Sequence, residues 1–344
     1  MEMRKLGCSG VSVSTICLGT MMFGMRADTA TSQRITDMAR DAGVNFIDTA
    51  DVYSFGKSET ITGKIIKKHR HHWILATKVG NAFGGDDPNQ NGLSRRWMHK
   101  SIDDSLKRLG TDHVDILYFH REDPHTDMAE SVRAIGDAIT AGKVRYFGIS
   151  NFRAWRHNEI VWLCKELGVA KPVISQPYYN AFNRGPEVEV LPVCAHHGMA
   201  VAPYSPAARG VLTGKYKPGQ KPGAGTRAAR KDKRMMQTEF REENLVMAQK
   251  IVAHAKQRGM SGSQFAIKWV LVNPIVTSAI VGPRTVAHMK DYLGIAKHGW
   301  TLADEALIDG LVASGHPSTP NYNDPAYPIE GRPVTYAGDP SARG

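Results

Sequence analysis

The chain has 344 residues, 42% of them hydrophobic and 22% charged, which excludes a disordered or fibrous protein and fits two average domains or one large α/β barrel. Forty-four Lys and Arg against 33 Asp and Glu give a net charge of +11, so a nucleic-acid or acidic-membrane partner is the first possibility to test. No apolar run approaches the ~18 residues of a membrane span, and residues 1–14 carry charges without the apolar core of a signal peptide. Cys8, Cys17, Cys164 and Cys194 are too dispersed for a C-x-x-C pair and read as the reduced thiols of a cytoplasmic protein.

In chain order, the opening Met-Arg-Lys-Leu-Gly-Cys-Ser-Gly-Val-Ser-Val-Ser predicts a β-hairpin turning at Ser9-Gly10. Eight short, continuous apolar runs follow, at 14–20, 44–48, 74–78, 114–120, 144–151, 173–176, 199–204 and 278–282. Runs that do not alternate are those of strands buried on both faces, as in a parallel sheet. Helical patterns intervene at 30–42, 58–68, 94–109, 127–141, 153–168, 187–197, 240–258 and 262–272, with another at 285–294 after the last run. Eight strand–helix units over about 290 residues predict an α/β fold of the (β/α)8 barrel type. Residues 315–344 break the pattern with six prolines, three tyrosines and few aliphatics. They predict a Pro/Tyr-rich tail, extended or disordered, or draped over a face of the barrel through Tyr322, Tyr327 and Tyr336. The expected organisation is one barrel domain over 1–314 and this tail.

The positive charge concentrates in residues 64–72, with four Lys/Arg and three His, and in 227–234, with five basic residues and one Asp. Cations at the end of a helix suit its dipole, so the first run reads as a solvated helix terminus. The second lies in a Gly/Pro-rich stretch able to close over a ligand. No zinc-finger spacing, RNA-binding aromatic motif or basic heptad accompanies either run, so nucleic acid is not expected.

Three other patterns fail on context. Residues 223–228 match G-x-G-x-x-A but follow Lys-Pro rather than a strand. Residues 210–216 are one position short of a phosphate-binding P-loop. His71-His72 and His196-His197 are sequence neighbours that would not share a face, so no metal is expected.

Barrel enzymes carry their chemistry at the C-terminal ends of the strands. Asp48, Lys78 and His120 end three consecutive predicted strands, and Tyr53 stands five residues beyond Asp48. A phenol with a pKa near 10 needs a nearby cation to work as an acid–base group at neutral pH. Lys78 could supply that cation, Asp48 could hold it, and His120 could meet a carbonyl oxygen beside the phenol. Such a set suits protonation of an alkoxide as hydride reaches carbon.

At these residues a resemblance enters. Gly43-Val-Asn-Phe-Ile-Asp-Thr-Ala-Asp-Val-Tyr53, continued by Ser-Phe-Gly-Lys-Ser-Glu59, resembles the signature of the aldo-keto reductase family. Further matches are Leu18-Gly-Thr-Met-Met-Phe-Gly24, Arg108-Leu-Gly-Thr-Asp112, Gly148-Ile-Ser-Asn-Phe152, Gln176-Pro-Tyr-Tyr-Asn180 and Gly210-Val-Leu-Thr-Gly-Lys215, and the resemblance runs to about residue 313. It is similar to the branch that holds potassium-channel β-subunits and bacterial reductases.

The resemblance implies an NADPH-dependent reduction of an aldehyde or ketone, with Asp48, Tyr53, Lys78 and His120 as the catalytic set and Tyr53 as acid–base. It implies cofactor contacts from Gly19, Thr20, Met21 and Asp48, and from Ser150, Asn151 and Gln176 at the nicotinamide amide. Tyr204 would stack on that ring, and Ser205, Pro206, Gly210, Leu212 and Lys215 would lie in the loop over the pyrophosphate, with Arg227 further along it. Gly282, Arg284, His288, Asp291 and Tyr292 correspond to the adenine end. There, Asp291-Tyr292 and His288 depart from the family's usual residues, which leaves NAD as the other candidate cofactor. Met22, Phe23, Phe83, His120, Arg121 and Phe152 are expected to line the substrate pocket, whose small-molecule occupant would be a carbonyl compound or an alcohol. The resemblance also allows an alcohol dehydrogenase running oxidatively, and a cofactor-binding regulatory module like the channel β-subunits. Those subunits usually carry Asn where this chain has His120, which favours the enzyme. The sequence sets no oligomeric state.

Overall fold

The computed structural model describes residues 1–84, 87–320, 322 and 324–327. An antiparallel hairpin, β1 (Met3–Lys5) and β2 (Ser12–Ser14), leads into eight parallel strands. These are β3 (Ile16–Gly19), β4 (Phe46–Asp48), β5 (Ile74–Val79), β6 (Val114–Phe119), β7 (Val144–Ser150), β8 (Ile174–Gln176), β9 (Ala200–Val201) and β10 (Ala279–Val281). They pair in the order β10-β3-β4-β5-β6-β7-β8-β9. The ring closes just past β9, where Tyr204 bridges Ile280 and the Ile280 amide donates to the Pro203 carbonyl at 3.0 Å. The architecture is the expected α/β barrel with its N-terminal hairpin. The 199–204 run yields only a two-residue strand, because Pro203 has no N–H with which to continue the ladder.

The helices are α1 (Thr29–Asp41), α2 (Lys57–Ile66), α3 (Arg95–Leu109), α4 (Met128–Thr140), α5 (Ala154–Leu167), α6 (Val190–His196), α7 (Lys233–Gln237), α8 (Glu242–Gln257), α9 (Gly262–Val272), α10 (Val286–Leu293) and α11 (Leu302–Leu311). Two of them, α7 and α11, were not anticipated. The sign of α11 lay in Thr301 and Asp304, which form a capping box whose side chains each satisfy the other's backbone N–H.

Period-two alternation explains how the strands can be apolar on both faces. Cys17, Phe46, Ala76, Ile116, Tyr118, Ile174, Ala200, Ala202 and Ile280 pack together in the barrel interior with Leu6 and Val13, which bracket the hairpin turn. Their neighbours Leu18, Ile47, Leu75, Leu117, Phe119, Phe147, Ile149 and Val201 belong to the larger core that includes the surrounding helices. Tyr118 fits inside because β7 carries Gly148 beside it. A Cβ there would stand 2.8 Å from the tyrosine ring and 2.7 Å from the Ile174 carbonyl oxygen.

The chain beyond α11 is tied to the strand-end face. Pro317 bridges Asn183, the Arg184 amide donates to the His316 carbonyl at 3.1 Å, and the Ser318 amide donates to Phe182 at 2.9 Å. Tyr322 donates its hydroxyl to the Gln237 carbonyl at 2.5 Å under the Arg241 guanidinium. Arg234 pairs with Asp324, and the Tyr327 ring lies 5.8 Å from the guanidinium carbons of both Arg121 and Arg234. Tyr322 and Tyr327 thus lie against the barrel, while Tyr336, the third tyrosine of the expected tail, is outside the described residues.

The basic run at 64–72 spans the end of α2 and a 3-10 turn, Lys67–His72, in which most of the cations face solvent. Arg70 is the exception, paired with Asp115 at 2.8 Å. Among the described residues no helix is long and apolar enough to cross a membrane.

Candidate active site

Two residues beyond each of four interior side chains lies a polar one: Phe46 then Asp48, Ala76 then Lys78, Tyr118 then His120, Ile174 then Gln176. The same alternation that fills the barrel therefore caps it with a polar layer. Parallel pairing sets Gly19 opposite Asp48 and Ser150 opposite Gln176, while Lys78 is opposite the interior Tyr118, one step lower in the stagger of the barrel.

Lys78 is closed to solvent and donates to Asp48 Oδ1 at 2.5 Å, to the Thr49 carbonyl at 2.7 Å and to Tyr53 Oη at 3.4 Å. Gln176 donates from Nε2 to the other Asp48 oxygen at 3.0 Å. Burial works against the charge on Lys78, but Asp48 and Tyr53 outweigh it and hold the ammonium above the usual amine range. Burial raises the Asp48 carboxyl, with Lys78 and Gln176 holding it back. Removing one partner from such a buried pair leaves an uncompensated charge, at a cost of about 3–5 kcal/mol.

The Tyr53 ring meets the His120 ring edge-on, with centroids 6.0 Å apart. The sequence led us to expect a phenol pKa lowered by Lys78. In the structure burial is the larger effect and raises it, with Lys78 pulling the other way. Burial also drives the His120 imidazole well below its usual range, reinforced by Lys78 and Arg121, so the ring is neutral at physiological pH. Its Nδ1 is buried and has no hydrogen-bond partner among the described residues. A neutral imidazole keeps one N–H and one acceptor nitrogen, which equips it to donate to a carbonyl oxygen.

Next to these four groups, Asn151 is held in the left-handed region at φ 61°. Its amide donates to the His120 carbonyl at 2.9 Å and to Ser150 Oγ at 3.0 Å, and its oxygen accepts from the Tyr204 hydroxyl at 2.8 Å. Ser150 Oγ donates to the Gln176 carbonyl at 2.8 Å. Tyr204 stacks on Tyr178 at 5.5 Å, and Tyr178 donates to the buried Glu239, which also pairs with Arg209 at 2.8 Å. On the other side, Thr20 donates to the Asp48 carbonyl at 3.1 Å, while Met21 is exposed.

The loop after Tyr204 bends through positive φ at Ser205, Ala208, Arg209 and Gly210. Pro206 is buried and Leu212 lies in the core, so that stretch offers a ligand mainly its backbone. Lys215 forms no ion pair or hydrogen bond among the described residues. Burial, followed by Arg284, Arg227 and Arg230, pulls its pKa down. Arg230 and Arg284 both donate to the Gly225 carbonyl, at 2.5 and 3.2 Å, and the nearest acid to Arg227 is Asp232 at 4.0 Å. Arg230 was not singled out from the sequence. Its signal was the same basic run that supplied Arg227.

At the far end, past Gly282, the Arg284 amide meets His288 Nδ1 at 3.4 Å, and His288 stacks on Tyr292 at 6.3 Å. The Asp291 carboxylate accepts instead from Ser261 at the start of α9, at 3.0 Å. Four cations gathered with one distant acid, beside a backbone-lined loop, fit a polyanionic dinucleotide.

The expected substrate lining divides. Arg121 is exposed at the rim and meets the tail at Tyr327. Met22 is buried, with its sulfur 3.8 Å from an Arg227 nitrogen. Phe83 carries the Arg108 guanidinium over its ring at 5.0 Å. Phe23 and Phe152 are both buried among the residues of the hydrophobic core, with the Phe152 ring 6.4 Å from that of Phe119. Tyr327 was expected only as part of a draped tail, and it stands close enough for its charge state to act on Tyr53. A hollow of about 390 Å³ bounded by Tyr179, Arg184, Glu187 and Trp269 lies apart from the strand ends, and its charged groups already pair with one another. Among the described residues no three His, Cys, Asp or Glu side chains gather to hold a metal.

A barrel whose strand ends hold a lysine-supported phenol beside a neutral imidazole, flanked by a cationic loop, has the makings of a carbonyl-reducing oxidoreductase. Comparison with known proteins supplies the family. The aldo/keto reductase family model matches residues 15–312, and the chain belongs to that family. It is 37% identical over 287 residues to a probable voltage-gated potassium channel subunit beta of Arabidopsis thaliana, covering 82% of this chain and 87% of that one. An uncharacterized oxidoreductase, YrpG, of Bacillus subtilis is 36% identical over 301 residues, 85% of this chain and 90% of its own. Versiconal hemiacetal acetate reductase of Aspergillus parasiticus is 32% identical over 304 residues, 80% and 86% respectively.

Proposed function

We propose that this chain reduces an aldehyde or ketone to the alcohol with NADPH, and that Tyr53 donates the proton. The observation that carries the reading is the buried line from Asp48 through Lys78 Nζ to Tyr53 Oη, with bonds of 2.5 and 3.4 Å, ending beside the neutral His120. When bound, the nicotinamide would supply hydride to the carbonyl carbon. The protein's part is proton handling and orientation. His120 donates to the carbonyl oxygen, Tyr53 Oη passes its proton to that oxygen as negative charge develops there, and the Lys78 ammonium stabilises the phenolate left behind. Asp48 and Gln176 keep Lys78 from swinging away.

Ser150, Asn151, Gln176 and Tyr204 would hold the nicotinamide, and Lys215, Arg227, Arg230 and Arg284 the phosphates. Arg284 and Arg230 favour the extra phosphate of NADPH over NADH. Tyr327 and Arg121 close the substrate side, which suits a flat carbonyl compound. Relatives named as channel subunits bring a second reading, a cofactor-binding partner without turnover, but the neutral His120 imidazole set edge-on beside the Tyr53 phenol favours the enzyme.

The test is a panel of aldehydes, ketones and alcohols followed by nicotinamide absorbance with NADPH and NADH separately. NADPH oxidation by at least one class of carbonyl, faster than with NADH, is expected. Cofactor binding with no turnover across the panel would favour the regulatory reading.

A further inference from the structure

Tyr53 is presented by a turn that closes on its own backbone, with the Phe55 amide donating to Val52 at 3.2 Å and the Gly56 amide to Tyr53 at 3.1 Å, while the Ser54 hydroxyl donates to the Phe23 carbonyl at 3.2 Å. Residues 54, 55 and 56 all have positive φ, at 51°, 53° and 82°. Only the last is glycine, and L side chains avoid this region. Gly56 suits glycine through its φ of 82°, and a Cβ there would stand 2.6 Å from Arg108 Cδ, displacing that side chain. Three consecutive left-handed residues cost the turn conformational energy, so contacts that tie it to neighbouring elements matter to where it sits.

Asp51 makes such contacts. Its side chain is closed to solvent, its Oδ1 accepts from the Val52 amide at 2.7 Å, and its Oδ2 accepts from Ser101 Oγ on α3 at 3.0 Å. Its own amide points to the Lys78 carbonyl at 3.3 Å, and the Tyr53 amide closes the turn on Ala50 at 3.2 Å. One residue thus joins the turn that bears the phenol, the strand end that bears the ammonium, and α3.

Folding alone gives little reason for an acid here. The charged groups facing Asp51 are Glu59 of α2 and Arg108 of α3, and Arg108 is already engaged by Glu59 at 2.6 Å. Glu59 is itself buried and also accepts from Thr77 at 2.5 Å. Two buried carboxyls share one cation, an arrangement that disfavours ionisation of the second. Burial, with Glu59 adding to it, pushes the Asp51 carboxyl up to about 7.

We propose that Asp51 is a positioning residue for the reaction, a clip between the Tyr53 turn and α3 that holds the phenol within reach of Lys78. The proposal rests on the reading of Tyr53 as proton donor. The clip works in either protonation state: the ionised carboxylate accepts both bonds, and the protonated acid accepts from Val52 and donates to Ser101. Asparagine can do the latter, and alanine can do neither.

The phenol's titration reports whether the clip holds. Tyr53 faces Lys78, Asp48, His120 and, from the tail, Tyr327. Lys78 is the group that lowers its pKa, so a turn that drifts away from the ammonium raises it.

The experiment compares Asp51→Ala, Asp51→Asn and Ser101→Ala with the wild type, measuring kcat, KM, NADPH affinity, melting temperature and the pH profile of kcat. Asp51→Ala should lose roughly tenfold or more in kcat, with NADPH affinity unchanged, and the limb assigned to Tyr53 should move up by about one pH unit. Asp51→Asn should keep most of kcat and leave the limb in place, and Ser101→Ala should show a smaller shift in the same direction as the alanine variant. If Asp51→Ala does not fold, Ser101→Ala and Asp51→Asn carry the comparison. Wild-type kcat and an unmoved limb in the folded alanine variant, or in Ser101→Ala, would overturn the proposal. Equal losses in Asp51→Asn and Asp51→Ala would also overturn it. A parallel Tyr53→Phe arm separates the two ideas: full activity there removes the reading of Tyr53 itself, whereas an inactive Tyr53→Phe beside a normal Asp51→Ala removes only the clip.

Discussion

Around Lys78 stand a carboxylate, a carbonyl oxygen and a phenol, all within 3.4 Å. Around Lys215 stand three arginines, and it makes no ion pair or hydrogen bond among the described residues. The first lysine is finished within the protein, with its acid supplied by the neighbouring strand and its orientation fixed before any ligand arrives. The second belongs to a group of like charges that repel one another across a loop bent through four left-handed residues. A group built that way costs stability until an anion enters it, so its existence argues for a polyanionic ligand in a way that the finished pair cannot. The comparison separates what each corner does. On the proposed reading, the strand-end layer would govern the rate of the proton step, and the cationic loop would govern which cofactor is held and how tightly.

Substitutions in the loop should therefore affect binding more than turnover. Arg284→Ala is expected to weaken NADPH binding about 10- to 100-fold, the value of a charge-assisted hydrogen bond, and to change NADH binding by less than about twofold. Arg230→Ala should follow the same pattern more weakly, and rising salt should narrow both differences. Cofactor fluorescence titrations read this directly. An equal loss for both cofactors would mean that these arginines do not meet the extra phosphate, and the contrast between the corners would lose its cationic half.

A smaller effect is expected beside the finished corner. The folded Asp51 carboxyl lies at about 7, above an unfolded value near 3.9. For an acid raised on folding, there is no penalty below the unfolded value. The penalty grows as pH rises through 4 to 7 and stays constant above that. Asp51→Asn removes it, so the melting temperature of that variant minus the wild type should grow between pH 5 and 8 and reach roughly 2 °C or more. A difference that stays flat or falls over that range would show that Asp51 is ionised and well compensated in the fold.

The barrel could be read from the sequence because its strands are buried on both faces, which leaves continuous apolar runs that end in a change of chemistry. Those changes also marked Asp48, Lys78 and His120, since the polar residue at each strand end stays in phase with the interior layer below it. Elements with weaker periodic signals were missed. The helix α11 was signalled mainly by its capping box, and α7 is only five residues long. The substrate lining is hard to read for a different reason. Loop residues have no period from which to infer direction, so the burial of Phe23 and Phe152 in the core is legible only in the structure. The Tyr53 titration also could not be read from residue types. A cation lowers a phenol pKa and burial raises it, and only the structure sets their relative sizes. The net charge of +11 remained a poor guide to partner class, since much of it lies in solvent-facing runs such as 64–72.

The central claim is that Tyr53 gives its proton to a carbonyl oxygen as hydride arrives. It is tested most directly by single-turnover oxidation of bound NADPH by a carbonyl substrate, in the wild type and in Tyr53→Phe, with NADPH affinity measured on the same samples. The account predicts a rate loss of about 10²- to 10⁴-fold in the phenylalanine variant, with cofactor affinity changed by no more than about twofold. A variant that binds NADPH normally and transfers hydride at the wild-type rate would contradict it.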